Sequence, residues 1–125
     1  MSETNAELAR RGWEAALRGD LDAVAGFLDP DVKWHGGDPT GPGACRDRDQ
    51  ALNYMRHALE HRALPELVDV RDAGDKVVLV LRRPPGEDAE PSLVANLTTF
   101  RDGKVIEMVH FDDLEDALAA ARLAQ

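Results

Sequence analysis

Apolar residues recur at helical spacing in three segments of the first half of the chain. The first segment follows Thr4 and Glu7, which form a capping-box pattern, and the second follows Asp20. The third begins after Asp47 or Asp49, either of which suits an N-cap. We therefore predict three N-terminal helices whose inner faces carry the apolar residues Leu8, Trp13, Ala16, Leu17, Leu21, Val24, Phe27, Leu28, Ala51, Leu52, Met55, Ala58 and Leu59.

The second half of the chain is rich in β-prone residues. The predicted strands of an antiparallel meander are residues 66–71, 76–83, 93–100 and 105–111. Residues 114–123 form an amphipathic pattern that predicts a fourth helix. A short strand at residues 31–35 is expected after Pro30 has ended the second helix, and glycine and proline make residues 36–43 a loop. This order predicts one α+β domain, residues 1–125, with helices packed on a curved sheet.

The last two strands meet at Asp102-Gly103, a strong signal for a β-hairpin. A bulged loop of three residues gives one set of cross-strand pairs, and a two-residue turn shifts that set by one residue. The pairs of the bulged register are Asn96 with His110, Thr98 with Met108, and Phe100 with Ile106. We favour the bulged register because it gathers polar side chains among apolar neighbours, which is the usual composition of a ligand pocket.

The outer face of this hairpin is also apolar. Its alternating positions are Leu97, Val105, Val109 and Phe111. Helices inside the curved sheet cannot cover that face, so we expect a homodimer that forms through it.

Composition limits the classes of partner. The 125 residues are 43% hydrophobic and 31% charged, as in ordinary soluble domains, and the net charge of −9 argues against nucleic acid and anionic membranes. No apolar run is long enough to span a membrane, and the N-terminus lacks the pattern of a secretory signal. The one cysteine, Cys45, excludes an intramolecular disulfide and fits a reducing compartment. We therefore expect a cytoplasmic protein.

Four short segments, in this order along the chain, carry a family resemblance: residues 19–22, 30–35, 102–105 and 110–113. With the predicted order of elements, the chain resembles the nuclear transport factor 2-like superfamily, and within it the SnoaL-like polyketide cyclase and ketosteroid isomerase-like group. The resemblance implies a cystatin-like α+β barrel, in which a cone-shaped antiparallel sheet wraps around three helices and encloses a pocket. This superfamily includes isomerases, cyclases, hydrolases and non-catalytic binding proteins, so the fold does not determine the function.

The resemblance to ketosteroid isomerases does not extend to their catalytic residues. Those enzymes combine a carboxylate base with a tyrosine and a protonated aspartate. This chain has Trp13 on the first helix in place of the tyrosine and Thr98 in place of the aspartate, and the base maps to His35 or Gly36, close to Asp38. Isomerisation by that mechanism is therefore not expected.

A second enzyme group of the superfamily, the limonene epoxide hydrolases, uses an Asp-Arg-Asp set. Arg82 matches the arginine, but Pro84 and His110 stand where the two aspartates belong. In SnoaL-like cyclases a polar acid–base residue acts inside the cone. The resemblance gives His110 a comparable place at the end of the last strand, with His35 on the opposite lip.

The candidate catalytic residues are His110, His35 and Asp38. An imidazole titrates near neutral pH and can take and return a proton, but His110 is equally well interpreted as a core histidine bonded to Asn96. His35 is alternatively a partly exposed residue at the end of a strand, and Asp38 a turn residue. The residues expected to line the pocket, all of which are otherwise ordinary core residues, are Trp13, Trp34, Met55, Leu59, Asn96, Thr98, Phe100 and Met108.

Neither a metal nor a cofactor is expected. His57 and His61 are four residues apart on one helix but lack a surrounding zinc motif, and there is no glycine-rich phosphate loop. Two functions remain open. One is an enzyme that performs acid–base chemistry on a small apolar carbonyl compound, and the other is a non-catalytic ligand-binding or dimerisation domain of the same fold.

Overall fold

The computed structural model describes residues 4–83 and 93–123. In this part of the chain there are four helices and five strands. In chain order they are α1 (Asn5–Leu17), α2 (Leu21–Phe27), β1 (Leu28–His35), α3 (Arg48–Glu60), β2 (Glu66–Ala73), β3 (Lys76–Arg82), β4 (Leu93–Arg101), β5 (Lys104–Phe111) and α4 (Leu114–Leu123).

The predicted caps begin the three N-terminal helices. The side chains of Thr4, Asp20 and Asp47 accept hydrogen bonds from backbone N–H groups of the first turns of α1, α2 and α3. Asp47, and not Asp49, is therefore the cap of α3. The prediction that Pro30 ends α2 was wrong, because α2 ends at Phe27 and Pro30 lies inside β1. A proline fits there because β1 is an edge strand.

The strands form one curled, unclosed sheet in the order β1-β5-β4-β3-β2. Strands β2 to β5 pair as the predicted antiparallel meander, whereas β1 pairs with β5 in parallel. The α+β fold class is therefore confirmed, with one parallel pair added to the antiparallel sheet. None of the helices in the described residues is long and apolar enough to cross a membrane.

The hairpin between β4 and β5 differs from the prediction in where its extra residue lies. Asp102 and Gly103 form a two-residue turn with φ of 53° and 78°, the signs of a type I′ turn. A bulge in β5 leaves Ile106 without a partner, so Phe100 pairs with Val105, and the predicted pair of Phe100 with Ile106 was wrong. Beyond the bulge the pairs Thr98–Met108 and Asn96–His110 are those predicted. The bulge restores the register that a two-residue turn alone would have shifted.

The two faces of the sheet have separate apolar cores. The inner core, against α1 to α3, includes Trp13, Met55, Phe100 and Val105. The outer core lies under α4, whose buried residues are Ala117 and Ala121 and which packs against the outer residues Leu97, Val109 and Phe111. Two parts of the expected outer face were therefore wrong: Val105 lies in the inner core, and α4 covers the other three residues. The expectation of a homodimer was based on an uncovered apolar face, and α4 covers that face.

Candidate functional site

A cleft lies where β1, β5 and α3 come together. It consists of two adjacent cavities, each of about 220 Å³. One cavity lies beside the loop between β1 and α3, and the other lies beside the segment that follows α3. Trp34, Tyr54 and His110 line both cavities, and we call this shared boundary the neck.

Aromatic rings form one wall of the cleft. The Trp34 ring packs edge-on against Tyr54 at a centroid distance of 4.8 Å and against Trp13 at 6.4 Å. Trp13 Nε1 donates a hydrogen bond of 3.0 Å to the carbonyl of Pro65, which fixes the innermost ring. The tryptophans therefore line the cleft and leave it open, and their faces and edges can contact a flat apolar ligand.

His110 is held at the neck by a pair of charged residues. Its Nε2 lies 2.8 Å from Asp112 Oδ1, and the same oxygen accepts a hydrogen bond of 3.0 Å from Arg83 Nη2. Arg83 directly follows β3 and Asp112 directly follows β5, so the network joins the ends of two strands. The His110 side chain is 38% exposed and is therefore not a core residue.

The electrostatics of this network determine which nitrogen of His110 carries the proton. The hydrogen bonds from His110 and Arg83 hold the pKa of Asp112 below its usual value, so this carboxylate is ionised at neutral pH. An ionised carboxylate only accepts hydrogen bonds, and so His110 Nε2 must be the donor. In the neutral ring Nδ1 is then the bare nitrogen, and no described residue hydrogen-bonds to it.

His35 has the opposite environment. Its Nε2 lies 2.9 Å from Glu107 Oε2, and its Nδ1 accepts a hydrogen bond of 3.0 Å from the backbone N–H of Gly37. The side chain is only 6% exposed, although a strand-end position was expected to leave it partly exposed. The strand pairing places His35 beside Val109, on the face opposite to Trp34 and Met108, and at the strand end His35 also lines the cavity beside the β1–α3 loop.

Asp38 lies at the rim of the cavity beside the β1–α3 loop. Its Oδ1 accepts hydrogen bonds from the hydroxyl (2.8 Å) and the backbone N–H (2.9 Å) of Thr40. Both hydrogen bonds lower the pKa of Asp38, and the bond from the Thr40 hydroxyl has the larger effect. These contacts are those of a turn residue. Of the two candidate histidines, only His110 has a ring nitrogen without a protein partner among the described residues.

The predicted pocket residues are divided between the cleft and the core. Trp13, Trp34 and Asn96 line the cleft. Met55, Thr98 and Met108 line a separate inner cavity of about 30 Å³, which also reaches Trp13. Phe100 is buried in the core, and Leu59 packs against it, without lining these cavities.

The family model of the SnoaL-like domain matches residues 9–108. The chain belongs to the SnoaL-like domain family. The predicted resemblance is confirmed, and the match includes most of α1, all of α2 and α3, and most of the sheet.

Solved structures share the fold of this SnoaL-like domain at low sequence identity. A candidate polyketide cyclase from Sinorhizobium meliloti is 15% identical with a TM-score of 0.70, and the match covers 83% of this chain and 93% of the other. A cystatin-fold protein from Novosphingobium aromaticivorans is 18% identical, with a TM-score of 0.72 and coverages of 88% and 99%. Bal32a, from a soil-derived mobile gene cassette, is 22% identical, with a TM-score of 0.71 and coverages of 97% and 96%. The sequence has no match among curated proteins.

Four residues of the SnoaL-like domain were missed as site residues: Tyr54, Arg83, Asp112 and Glu107. Tyr54 is the only tyrosine of the chain and directly precedes Met55, which was predicted to face the pocket. Its position beside a predicted pocket residue was a signal in the sequence. Asp112 follows His110 by two residues, the spacing that puts side chains on one side of a strand. Arg83 and Glu107 had no such signal, because their partners come from other strands.

The described residues include no group of three or more metal-ligating side chains. Cys45 lines the cleft but is buried. Its burial raises the pKa of its thiol, and the negative charge of Asp47 raises it further. A raised pKa keeps the sulfur protonated and does not favour nucleophilic chemistry. Pro84, which breaks the Asp-Arg-Asp set, lies outside the described residues.

Proposed function

We propose that this SnoaL-like domain binds a small apolar carbonyl compound in the cleft and that His110 exchanges a proton with it. The observation that carries the proposal is the position of His110 at the neck of the two cavities. One of its nitrogens is bonded to an ionised Asp112, and the other has no partner among the described residues. This is the arrangement of a general base oriented by a carboxylate.

The chemistry follows from the tautomer. Nδ1 of the neutral ring takes a proton from the carbon next to the carbonyl group, and the Asp112 carboxylate stabilises the imidazolium that forms. The apolar wall of Trp13, Trp34 and Tyr54 holds the rest of the ligand. Return of the proton to a different atom gives isomerisation. Attack of the carbanion on a second carbonyl carbon of the ligand, whose oxygen then takes the proton from His110, gives cyclisation. If His110 instead takes a proton from water as the water oxygen attacks an ester carbonyl, and gives that proton to the departing alkoxide, the result is hydrolysis.

A second candidate is a ligand-binding protein without catalysis. It is favoured by the state of His35, both of whose ring nitrogens have protein partners, and by the turn contacts that Thr40 makes with Oδ1 of Asp38. On this alternative His110 serves only to hydrogen-bond the ligand, and no proton leaves carbon.

Exchange of carbon-bound protons separates the two candidates. 2-Tetralone is an apolar bicyclic ketone, and exchange of its α-protons in D₂O is followed by ¹H NMR. We expect the wild-type domain to accelerate this exchange and His110→Gln to reduce the acceleration by about a hundredfold, which is the typical loss on removal of a general base. The matched control is His57→Gln, the same change at an exposed histidine that does not line the cleft.

Each result selects one candidate. Quenching of Trp13 and Trp34 fluorescence reports whether 2-tetralone is bound, because both rings line the cleft. Binding without exchange would support the non-catalytic protein. Equal exchange by the wild type and His110→Gln would contradict the assignment of His110.

The homodimer and the cytoplasmic location stay predictions. With the outer hairpin face covered by α4, the exposed apolar side chains include Val68 and Leu93 on the strands. Light scattering at micromolar concentration tests the dimer, and a monomer there would contradict it.

A further inference from the structure

Asn96 is a buried polar side chain at the wall of the cleft. It lies on β4, is only 2% exposed and lines the cavity that also contacts Trp13 and Arg83. A buried amide normally finds partners for both its oxygen and its nitrogen, since an unpaired polar group costs about 1–3 kcal/mol.

The two ends of this amide are in different states. The Thr98 hydroxyl donates a hydrogen bond of 2.8 Å to Asn96 Oδ1. Asn96 Nδ2 makes no hydrogen bond to any residue of 4–83 or 93–123. Since no buried side-chain nitrogen or oxygen among these residues lacks a partner, Nδ2 retains accessible surface, and the cavity lined by Asn96 is where that surface can lie. Thr98 thus holds the amide with its oxygen occupied and its N–H groups available.

The free donor lies beside the free acceptor. Asn96 and His110 are directly paired across β4 and β5, so their Cβ atoms are about 4.5–5.5 Å apart. Both residues line the same cavity. A ligand that reaches both therefore meets an N–H donor from Asn96 and a bare nitrogen from His110.

We propose that Asn96 Nδ2 donates a hydrogen bond to the carbonyl oxygen of the substrate, and that Thr98 is the positioning residue for this donor. The inference rests on the proposed function and narrows its substrate class to carbonyl compounds with a hydrogen on the adjacent carbon and an oxygen that can reach Asn96. When the C–H bond breaks, its proton goes to His110 Nδ1 and its electron pair forms the enolate. The negative oxygen of the enolate accepts the hydrogen bond that Asn96 Nδ2 donates. The donor is already in place before the charge develops, which is the condition for stabilising the transition state.

The test uses two ligands and three substitutions. 2-Tetralone carries the oxygen, and tetralin is the same ring system without it. Asn96→Leu removes the donor, Thr98→Val removes the hydroxyl that orients it, and Thr98→Ser keeps that hydroxyl. The matched control is Thr99→Val, the same change at the next residue, whose hydroxyl accepts a hydrogen bond from Lys76 Nζ and which does not line the cleft.

We expect Asn96→Leu to slow exchange of 2-tetralone by about a hundredfold, the loss usual for one donor to a developing oxyanion. Its affinity for tetralin, from tryptophan quenching, should change by less than about twofold. Thr98→Val should lose about tenfold in exchange because the amide is free to turn, whereas Thr98→Ser and Thr99→Val should retain the wild-type rate. Circular dichroism and the thermal midpoint establish that each variant is folded.

The failures of the two proposals differ. If exchange requires His110 but is the same in Asn96→Leu and Thr98→Val as in the wild type, the role of Asn96 is wrong and the proposed function stands. If Thr98→Ser slows exchange as much as Thr98→Val does, the hydroxyl does not orient the amide, and the positioning role of Thr98 is overturned. Absence of binding and exchange of 2-tetralone in the wild type would overturn both proposals.

Discussion

Two histidines on neighbouring strands of this SnoaL-like domain differ in almost every respect. His35 on β1 is buried and has a protein partner at each ring nitrogen. His110 on β5 is partly exposed, faces the cleft and has a partner at only one nitrogen. The comparison shows that burial and hydrogen bonding identify a structural histidine, whereas a nitrogen without a partner beside a cavity identifies a candidate for chemistry.

The largest difference is expected in stability. His35→Gln disrupts two hydrogen bonds at a buried site and should lower the free energy of unfolding by about 1–3 kcal/mol. His110→Gln, at a partly exposed site, should change it by no more than about 0.5 kcal/mol. Urea denaturation followed by circular dichroism measures both. The distinction between the two residues fails if His110→Gln is the more destabilising change.

A second difference should be seen in the tautomers, which ¹⁵N NMR of the imidazoles distinguishes. Both rings are expected in the Nε2–H form at alkaline pH, because the partner of each Nε2 is a carboxylate. Glu107→Gln should leave His35 in that form, since the Gly37 N–H still occupies Nδ1. Asp112→Asn should give a measurable fraction of the Nδ1–H form of His110, which no second protein group holds. Equal responses of the two rings would contradict their different roles.

The smallest effect concerns the carboxylate that orients His110. Hydrogen bonds from His110 and Arg83 lower the pKa of Asp112, so its contribution to stability is complete above the pKa of the unfolded chain and is lost as the pH falls through the lower, folded pKa. The contribution is small because the side chain is 82% exposed to screening water. Arg83→Gln should raise the pKa of Asp112 and leave that of Asp38 unchanged, as measured by ¹³C NMR of the carboxyl groups. A pKa of Asp112 that is the same in both proteins would exclude the role of Arg83.

Local patterns predicted the elements of the fold well. The helix caps, the meander and the Asn96–His110 pair depend on residues close in sequence, and the polar pair among apolar neighbours selected the correct register around the site. The exact position of the bulge was not predictable in this way. A three-residue loop and a two-residue turn with a bulge at Ile106 give the same pairs from Thr98 onwards, so the apolar pattern does not distinguish them.

The environment of the site was less predictable because it depends on contacts between distant segments. The parallel pairing of β1 with β5 brings Glu107 to His35 across 72 positions, and no local signal indicates it. Arg83 and Asp112 are 29 positions apart. The amphipathic pattern of residues 114–123 predicts a helix but not the place where it packs, so the covering of the outer face by α4 was missed. The alternation of side chains along β5 assigned Val105 to the wrong face because of the bulge.

The two edges of the sheet have a consequence for self-association. Beside the β1 edge the backbone of Trp34 forms two hydrogen bonds with Cys45, so the β1–α3 loop closes part of that edge. The other edge strand, β2, is interrupted by an irregularity between Leu67 and Asp69 and carries charged side chains along its length. Bulges and charges on an edge strand oppose the addition of a strand from another molecule. Growth of the sheet into fibrous aggregates is therefore disfavoured at both ends, and any assembly of this domain would have to use its faces.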